Sequence, residues 1–91
     1  MIKELEAIIQ SRQANPQDGS YTNTLFEAGR NKIAQKVGEE ATEVIVAALG
    51  QTRAEQIGEI SDLIYHLLVL MAELDLTLED IETELSNRHQ R

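Results

Sequence analysis

The 91 residues include no cysteine and no tryptophan, one proline, and three aromatic side chains: Tyr21, Phe26 and Tyr65. Without cysteine, disulfides, zinc–thiolate sites and thiol nucleophiles are excluded. With a single proline and no sustained two-residue alternation of apolar and polar positions, little in the chain favours strands. Long hydrophobic runs are missing as well. The longest, Leu67 to Ala72, falls far short of the roughly 20 residues a membrane-spanning helix needs. The N-terminus, MIKELEAIIQSRQ, carries acidic residues and lacks the basic start and continuous apolar stretch of a signal peptide. A cytoplasmic protein is expected, with no membrane partner. Basic residues are scarce, 8 against 16 acidic, for a net charge of −8. Nucleic-acid binding needs a basic face to displace phosphate counterions, so a nucleic-acid partner is not expected.

What is present is helical periodicity. Residues 1–91 predict a single all-α domain, small enough to gain from oligomerisation. Ile2, Leu5, Ile8 and Ile9 form one stripe over Ile2 to Gln13, and Pro16 and Gly19 in ANPQDGS break the chain. SYTNTLFEAG offers a short helix capped near Ser20 or Thr22 and stopped at Gly29. Asn31 is placed to cap a helix from about Lys32 to Leu49, ending at Gly50. Thr52 to Glu55 (TRAE) is a capping box opening a long helix to about Leu74. TLED, Thr77 to Asp80, starts the last helix, and NRHQR reads as a basic, loose tail. The fold class is an antiparallel helical bundle of about five helices, dimerising through the central pair. From Leu63 to Ala72 the sequence is apolar almost all round, and a second subunit is the simplest cover for such a helix.

KVGEEATEVIVAALG, Lys36 to Gly50, sets three glutamates among aliphatic residues. At 100° per residue, Ile33, Val37, Ala41, Val44 and Ala48 form an apolar stripe. Glu40 falls at its edge and looks inward, Glu43 shares that flank, and Glu39 lies a little further round. On the next helix Ile57, Ile60, Ile64, Leu67, Leu68 and Met71 form a stripe, with Glu55, Glu59, Asp62 and His66 as a ridge opposite. A short connection at Gly50–Gln51 makes the two helices antiparallel neighbours. Reflection about Gln51 sets Glu43 opposite Glu59, Glu40 opposite Asp62 and Lys36 opposite His66. Four or five carboxylates therefore meet between two helices. Each exposed like-charge pair costs about 0.2–0.5 kcal/mol, and desolvation adds to it. Either some of these carboxylates stay protonated or a cation sits among them, unless the string is simply a solvated face; Mg²⁺ characteristically combines carboxylates, waters and a substrate phosphate. Calcium-loop spacing and the Glu-x-x-His pairs of a di-iron centre are absent. His66 reads more readily as a core or interface histidine than as a ligand, and Tyr65 and Met71 as packing.

SYTNTLF, KVGEEATEVIVAA, DLIYHLLVLMAE and LEDIETEL, with the terminal RH, together closely resemble the phosphoribosyl-ATP pyrophosphatases. That family belongs to the all-α, MazG-like nucleoside triphosphate pyrophosphohydrolases. The superfamily signature reads here Glu39-Glu40-x-x-Glu43, fifteen residues, then Glu59-x-x-Asp62. The resemblance implies the second step of histidine biosynthesis: hydrolysis of phosphoribosyl-ATP between its α and β phosphates, with Mg²⁺, to phosphoribosyl-AMP and pyrophosphate. It also implies a homodimer whose sites draw on helices of both subunits. Many relatives are fused to the next enzyme, a cyclohydrolase, and the length here suggests the stand-alone form.

The corresponding mechanism is metal-assisted water attack on a phosphoanhydride. Glu40, Glu43 and Asp62 are expected as direct Mg²⁺ ligands, with Glu39 and Glu59 direct or through water. An unligated carboxylate, such as Glu39, is expected to act as general base. Arg30, Lys32 and Lys36 are placed to grip phosphates, Ser20, Tyr21 and Thr22 offer hydroxyls, and Arg88 and His89 could close over the ligand. Each of these also has a plainer reading as surface charge or helix cap. Two other functions fit the same chain: a house-cleaning pyrophosphatase acting on free nucleoside triphosphates, and an acidic helical dimerisation module without chemistry.

Overall fold

The computed structural model of the chain describes residues 1–89, and among these there are five helices and no strand. They are α1 (Ile2–Ala14), α2 (Tyr21–Ala28), α3 (Arg30–Gly50), α4 (Arg53–Glu73) and α5 (Leu78–His89). None is long and apolar enough to cross a membrane. The two 21-residue helices α3 and α4 form an antiparallel hairpin, each roughly 30 Å long at 1.5 Å per residue. The tight connection holds because Thr52 caps α4 reciprocally with Glu55, whose carboxylate returns to the Thr52 N–H at 3.3 Å. Gln56 adds a bond from its side chain to the Ala47 carbonyl at 3.1 Å, tying the helices together beside the turn.

Helix α1 packs on α4, and α2 packs on α3, α4 and α1. Both cover the same end of the hairpin. The core lies there: Ile9, Leu25, Ile33, Leu68 and Val69, with Leu5, Phe26, Ile64 and Tyr65 packed around it. The loop end of the hairpin has no such cover. Leu49 is 83% exposed, and Ile45, Val46, Ile57 and Ile60 are exposed beside it.

Sequence and structure differ in several particulars. Asn31 does not cap α3: the helix begins at Arg30, behind Gly29 at φ +96°, a backbone region that glycine enters without steric cost. On α1 the core takes Ile9 and part of Leu5, while Ile2 and Ile8 are exposed. Asn87 to His89 continue α5 rather than forming a loose tail, and Gln90 and Arg91 lie outside the described residues. Nothing in α5 is buried. Its start is held by Glu6 of α1, which accepts from the Leu78 N–H at 2.7 Å, and by the reciprocal Thr77–Asp80 cap.

The break between α1 and α2 is organised by a buried side chain. Asn23 accepts from the Gln17 N–H at 2.8 Å and donates to the Arg12 carbonyl at 2.7 Å, closing the NPQDG segment onto α2. Asn23→Ala leaves both backbone groups without that partner, so unfolding free energy should fall by about 1–3 kcal/mol. Urea denaturation at neutral pH checks it, and an unchanged midpoint would mean that the loop is held by other contacts.

Candidate active site

The buried line on α3 is Ile33, Glu40 and Ala47, each seven residues from the next. Glu40 thus sits in the middle of the packed face rather than at its edge, only 7% exposed. Ala48, expected on that face, is exposed, and Ala47 is buried instead. The line drifts round the helix because seven residues fall about 20° short of two full turns. On α4 the ridge of Glu59 and His66 turns toward α3, with His66 buried and Glu59 half-buried. The stripe of Ile57, Ile60 and Leu67 is left exposed.

Between the helices, one carboxylate oxygen from each of Glu40, Glu43 and Glu59 lies within 4.8 Å of the others. The Oε2 atoms of Glu40 and Glu59 are both buried and have no hydrogen-bond partner. The Oε1 atom of Glu40 faces the Lys36 ammonium at 3.5 Å, an incomplete compensation for a buried charge. Glu43 bridges the pair. Its carboxyl is held above the ordinary range, chiefly by hydrogen bonding and repulsion with Glu59. Glu39 is drawn below that range by the Gln35 amide at 2.8 Å and then by Lys36 at 3.4 Å. Burial pulls the Lys36 pKa down. The neighbouring Tyr21 hydroxyl and the Glu39 and Glu40 carboxylates outweigh that pull, so the net shift is upward.

The raised Glu43 pKa has a definite sign in stability. The folded state binds this proton more tightly than the unfolded chain. That contribution is full below the unfolded pKa and is lost as pH rises through the folded value. In EDTA, Glu43→Gln should therefore gain stability relative to the parent chain as pH rises from the ordinary carboxyl value of about 4 through the raised one. Parallel urea melts across that window test it, and a constant difference between the two proteins would remove the Glu43–Glu59 contact as its cause.

The other expected residues are more scattered. Asp62 is exposed and outside the three-carboxylate group, because it sits roughly 60° round α4 from Glu59 on a shorter side chain. Ser20 caps α2 through the Asn23 N–H at 3.3 Å. Thr22 is buried and bonded to the Tyr65 hydroxyl. Arg30 reaches across to Glu73, 3.7 Å from its carboxylate, and so joins the start of α3 to the end of α4. Lys32 is exposed on the turn before Lys36. Arg88 pairs with Glu84 on its own helix at 3.3 Å, and His89 ends α5. Sequence reasoning undervalued two residues. Tyr65, read as packing, bonds Thr22, and His66 bonds the Tyr21 hydroxyl. The apolar neighbourhood of YHLLVL hid them. A polar atom among buried neighbours, with its need for a partner, was the available signal.

The profile of the phosphoribosyl-ATP pyrophosphohydrolase family matches residues 2–89. The chain belongs to that family. It is 54% identical over 88 residues to the phosphoribosyl-ATP pyrophosphatase of Listeria innocua serovar 6a, covering 97% of this chain and 84% of that protein. It is 50% identical over 91 residues to the phosphoribosyl-ATP pyrophosphatase of Clostridium novyi, covering 100% of this chain and 83% of the other. The histidine biosynthesis bifunctional protein HisIE of Caldanaerobacter subterraneus subsp. tengcongensis is also 50% identical, over 91 residues, but the chain spans 44% of its length. For a phosphoribosyl-ATP pyrophosphohydrolase family member, a converging oxygen-ligand set between α3 and α4 is the natural candidate for the catalytic centre.

Proposed function

We propose that this protein hydrolyses phosphoribosyl-ATP to phosphoribosyl-AMP and pyrophosphate, the second step of histidine biosynthesis, as a Mg²⁺-dependent homodimer. One observation carries the reading. The Glu40 carboxylate is more than nine-tenths buried, with one oxygen unpartnered and aimed into a group of three acids. A neutral or hydrated surface would not arrange acids in this way, whereas a hard cation with oxygen ligands makes the arrangement favourable.

Glu40, Glu43 and Glu59 are the residues that would hold the cation, with Asp62, one turn beyond Glu59, on the solvent side. When bound, Mg²⁺ supplies neutralisation of phosphate charge and a lowered pKa for water beside it. The chain's own groups do the rest. Lys36 keeps a positive charge next to Glu40, where a phosphate would meet it. Gln35 and Lys36 occupy both oxygens of Glu39, which makes Glu39 a weaker base than expected and an orienting partner for Lys36 instead. The homodimer is supported by the uncovered face of Ile45, Val46, Leu49, Ile57 and Ile60 at the loop end of the hairpin, because monomers rarely leave so many large apolar residues together in water.

Pyrophosphate release from phosphoribosyl-ATP, ATP, dCTP and dUTP, each with Mg²⁺, tests the substrate. A kcat/KM at least about 100-fold higher for phosphoribosyl-ATP is expected, because a site that hydrogen-bonds extra substrate groups discriminates strongly against analogues lacking them. Comparable rates on all four would assign a house-cleaning role, and no release from any would leave a helical module without chemistry.

A further inference from the structure

His66 is buried on α4, one turn beyond Asp62, and no step proposed above uses it. Its Nδ1 lies 2.7 Å from the Asp62 carbonyl oxygen. A carbonyl can only accept, so Nδ1 carries the proton, and in the neutral ring Nε2 is left as an acceptor. The Tyr21 hydroxyl, 3.1 Å from Nε2, is then the donor. The bond fixes the direction of the tyrosine. Its hydroxyl points into the protein, so it is not free to grip a phosphate.

The ring is placed as firmly as the hydroxyl. Tyr21 meets His66 edge-on, with centroids 5.9 Å apart and planes at 78°. Tyr65 lies along one face, at 6.2 Å and 26°, and is itself tied to Thr22. Tyr21 nevertheless remains 51% exposed. One edge is held, one face is backed, and about half of the residue is left to solvent. Tyr21 is bonded to His66, which lies on the same α3-facing ridge of α4 as Glu59, about two turns further along. The exposed side of the ring therefore stands at the His66 end of the carboxylate cleft.

We propose that His66 is a positioning residue that holds Tyr21 at this end of the cleft, where the exposed side of the tyrosine ring stacks on the purine base of the substrate. The inference rests on the nucleotide-hydrolase reading of the cleft. It adds a residue that selects for a base and one that aims it, both separate from the acids. A flat base gains from an aromatic face without needing hydrogen-bond readout, and a ring already fastened on two sides loses little freedom when the base arrives.

Steady-state kinetics on phosphoribosyl-ATP and tyrosine emission during titration with AMP and Mg²⁺ test it together. The chain has two tyrosines and no tryptophan, so stacking on Tyr21 should read out directly as saturable quenching. Tyr21→Leu should raise KM by about 5–140-fold, the range expected for loss of one base–aromatic stack, with kcat within about threefold of the parent. Tyr21→Phe and His66→Leu should each raise KM by a smaller, similar factor, and the double variant should be no worse than either, because both delete the same bond. His66→Gln, which restores an acceptor oxygen, should recover part of the loss. Unchanged KM in Tyr21→Leu, a fall in kcat alone, or additive effects in the double variant would overturn the proposal while leaving the hydrolase reading intact. If the parent protein proved inactive on phosphoribosyl-ATP, the hydrolase reading would fail by itself. The AMP titration would then decide the stacking: quenching lost in Tyr21→Leu and weakened in His66→Leu supports it, and an absence of quenching in the parent refutes it.

Discussion

Glu40→Gln lowers phosphoribosyl-ATP turnover by at least about 100-fold, the expected result for removing one charge from a cation's ligand set when even outer-shell changes cost 10–100-fold. The exchange keeps the volume and hydrogen-bonding shape of the side chain, so the packed line of Ile33, Glu40 and Ala47 should survive. Stability separates this from simple damage. In EDTA the parent chain holds three carboxylates within 4.8 Å of one another, with two buried oxygens unpartnered. Neutralising one relieves repulsion, so the variant's urea midpoint should be unchanged or higher. Lys36 loses one partner but keeps Glu39 at 3.4 Å. Circular dichroism, urea melts and turnover on the same preparation are the measurements. Parent-like turnover would remove Glu40 from the reaction, and a large loss of stability would make it a structural partner of Lys36 instead.

Chelation is the second large effect. Turnover should vanish in EDTA and return with excess Mg²⁺, and the protein itself should register the cation without any substrate. A ligand that binds the folded state alone adds about 1.4 kcal/mol at ten times its dissociation constant. For a chain of this size that raises Tm by about 6–11 °C. Glu40→Gln should lose most of that shift, which ties the thermal effect to the cluster rather than to general screening of the acidic surface. The same ionic strength supplied as NaCl controls for screening. A Tm rise equal in Mg²⁺ and in NaCl would mean that the acids do not form a cation site.

The two central helices were legible because their signals are local. TRAE fixes the start of α4, Gly29 ends α2, and apolar spacing of 3.6 marks both segments as helices. The pairing of Glu43 with Glu59 was legible as well, since a short antiparallel connection leaves little freedom in register. Reflection alone placed Glu40 at the level of Asp62, yet Glu40 gathers with Glu43 and Glu59 while Asp62 points to solvent. Level along an axis is set by counting residues. Rotation about it depends on how two twisted surfaces interlock, and one sequence does not state that.

What the sequence determined by itself was the helical class, the caps, the absence of thiol chemistry and the presence of acids on facing helices at matched spacing. These follow from backbone hydrogen bonding, side-chain period and charge, all of which act over a few residues. What the tertiary structure decided was which acids converge, that Glu40 lies at the centre of a buried line, and that Tyr21, Tyr65, Thr22 and His66 lock together across more than forty residues of chain. Such contacts form because a buried polar atom is stabilised by a partner wherever packing brings one, and packing is a property of the whole molecule.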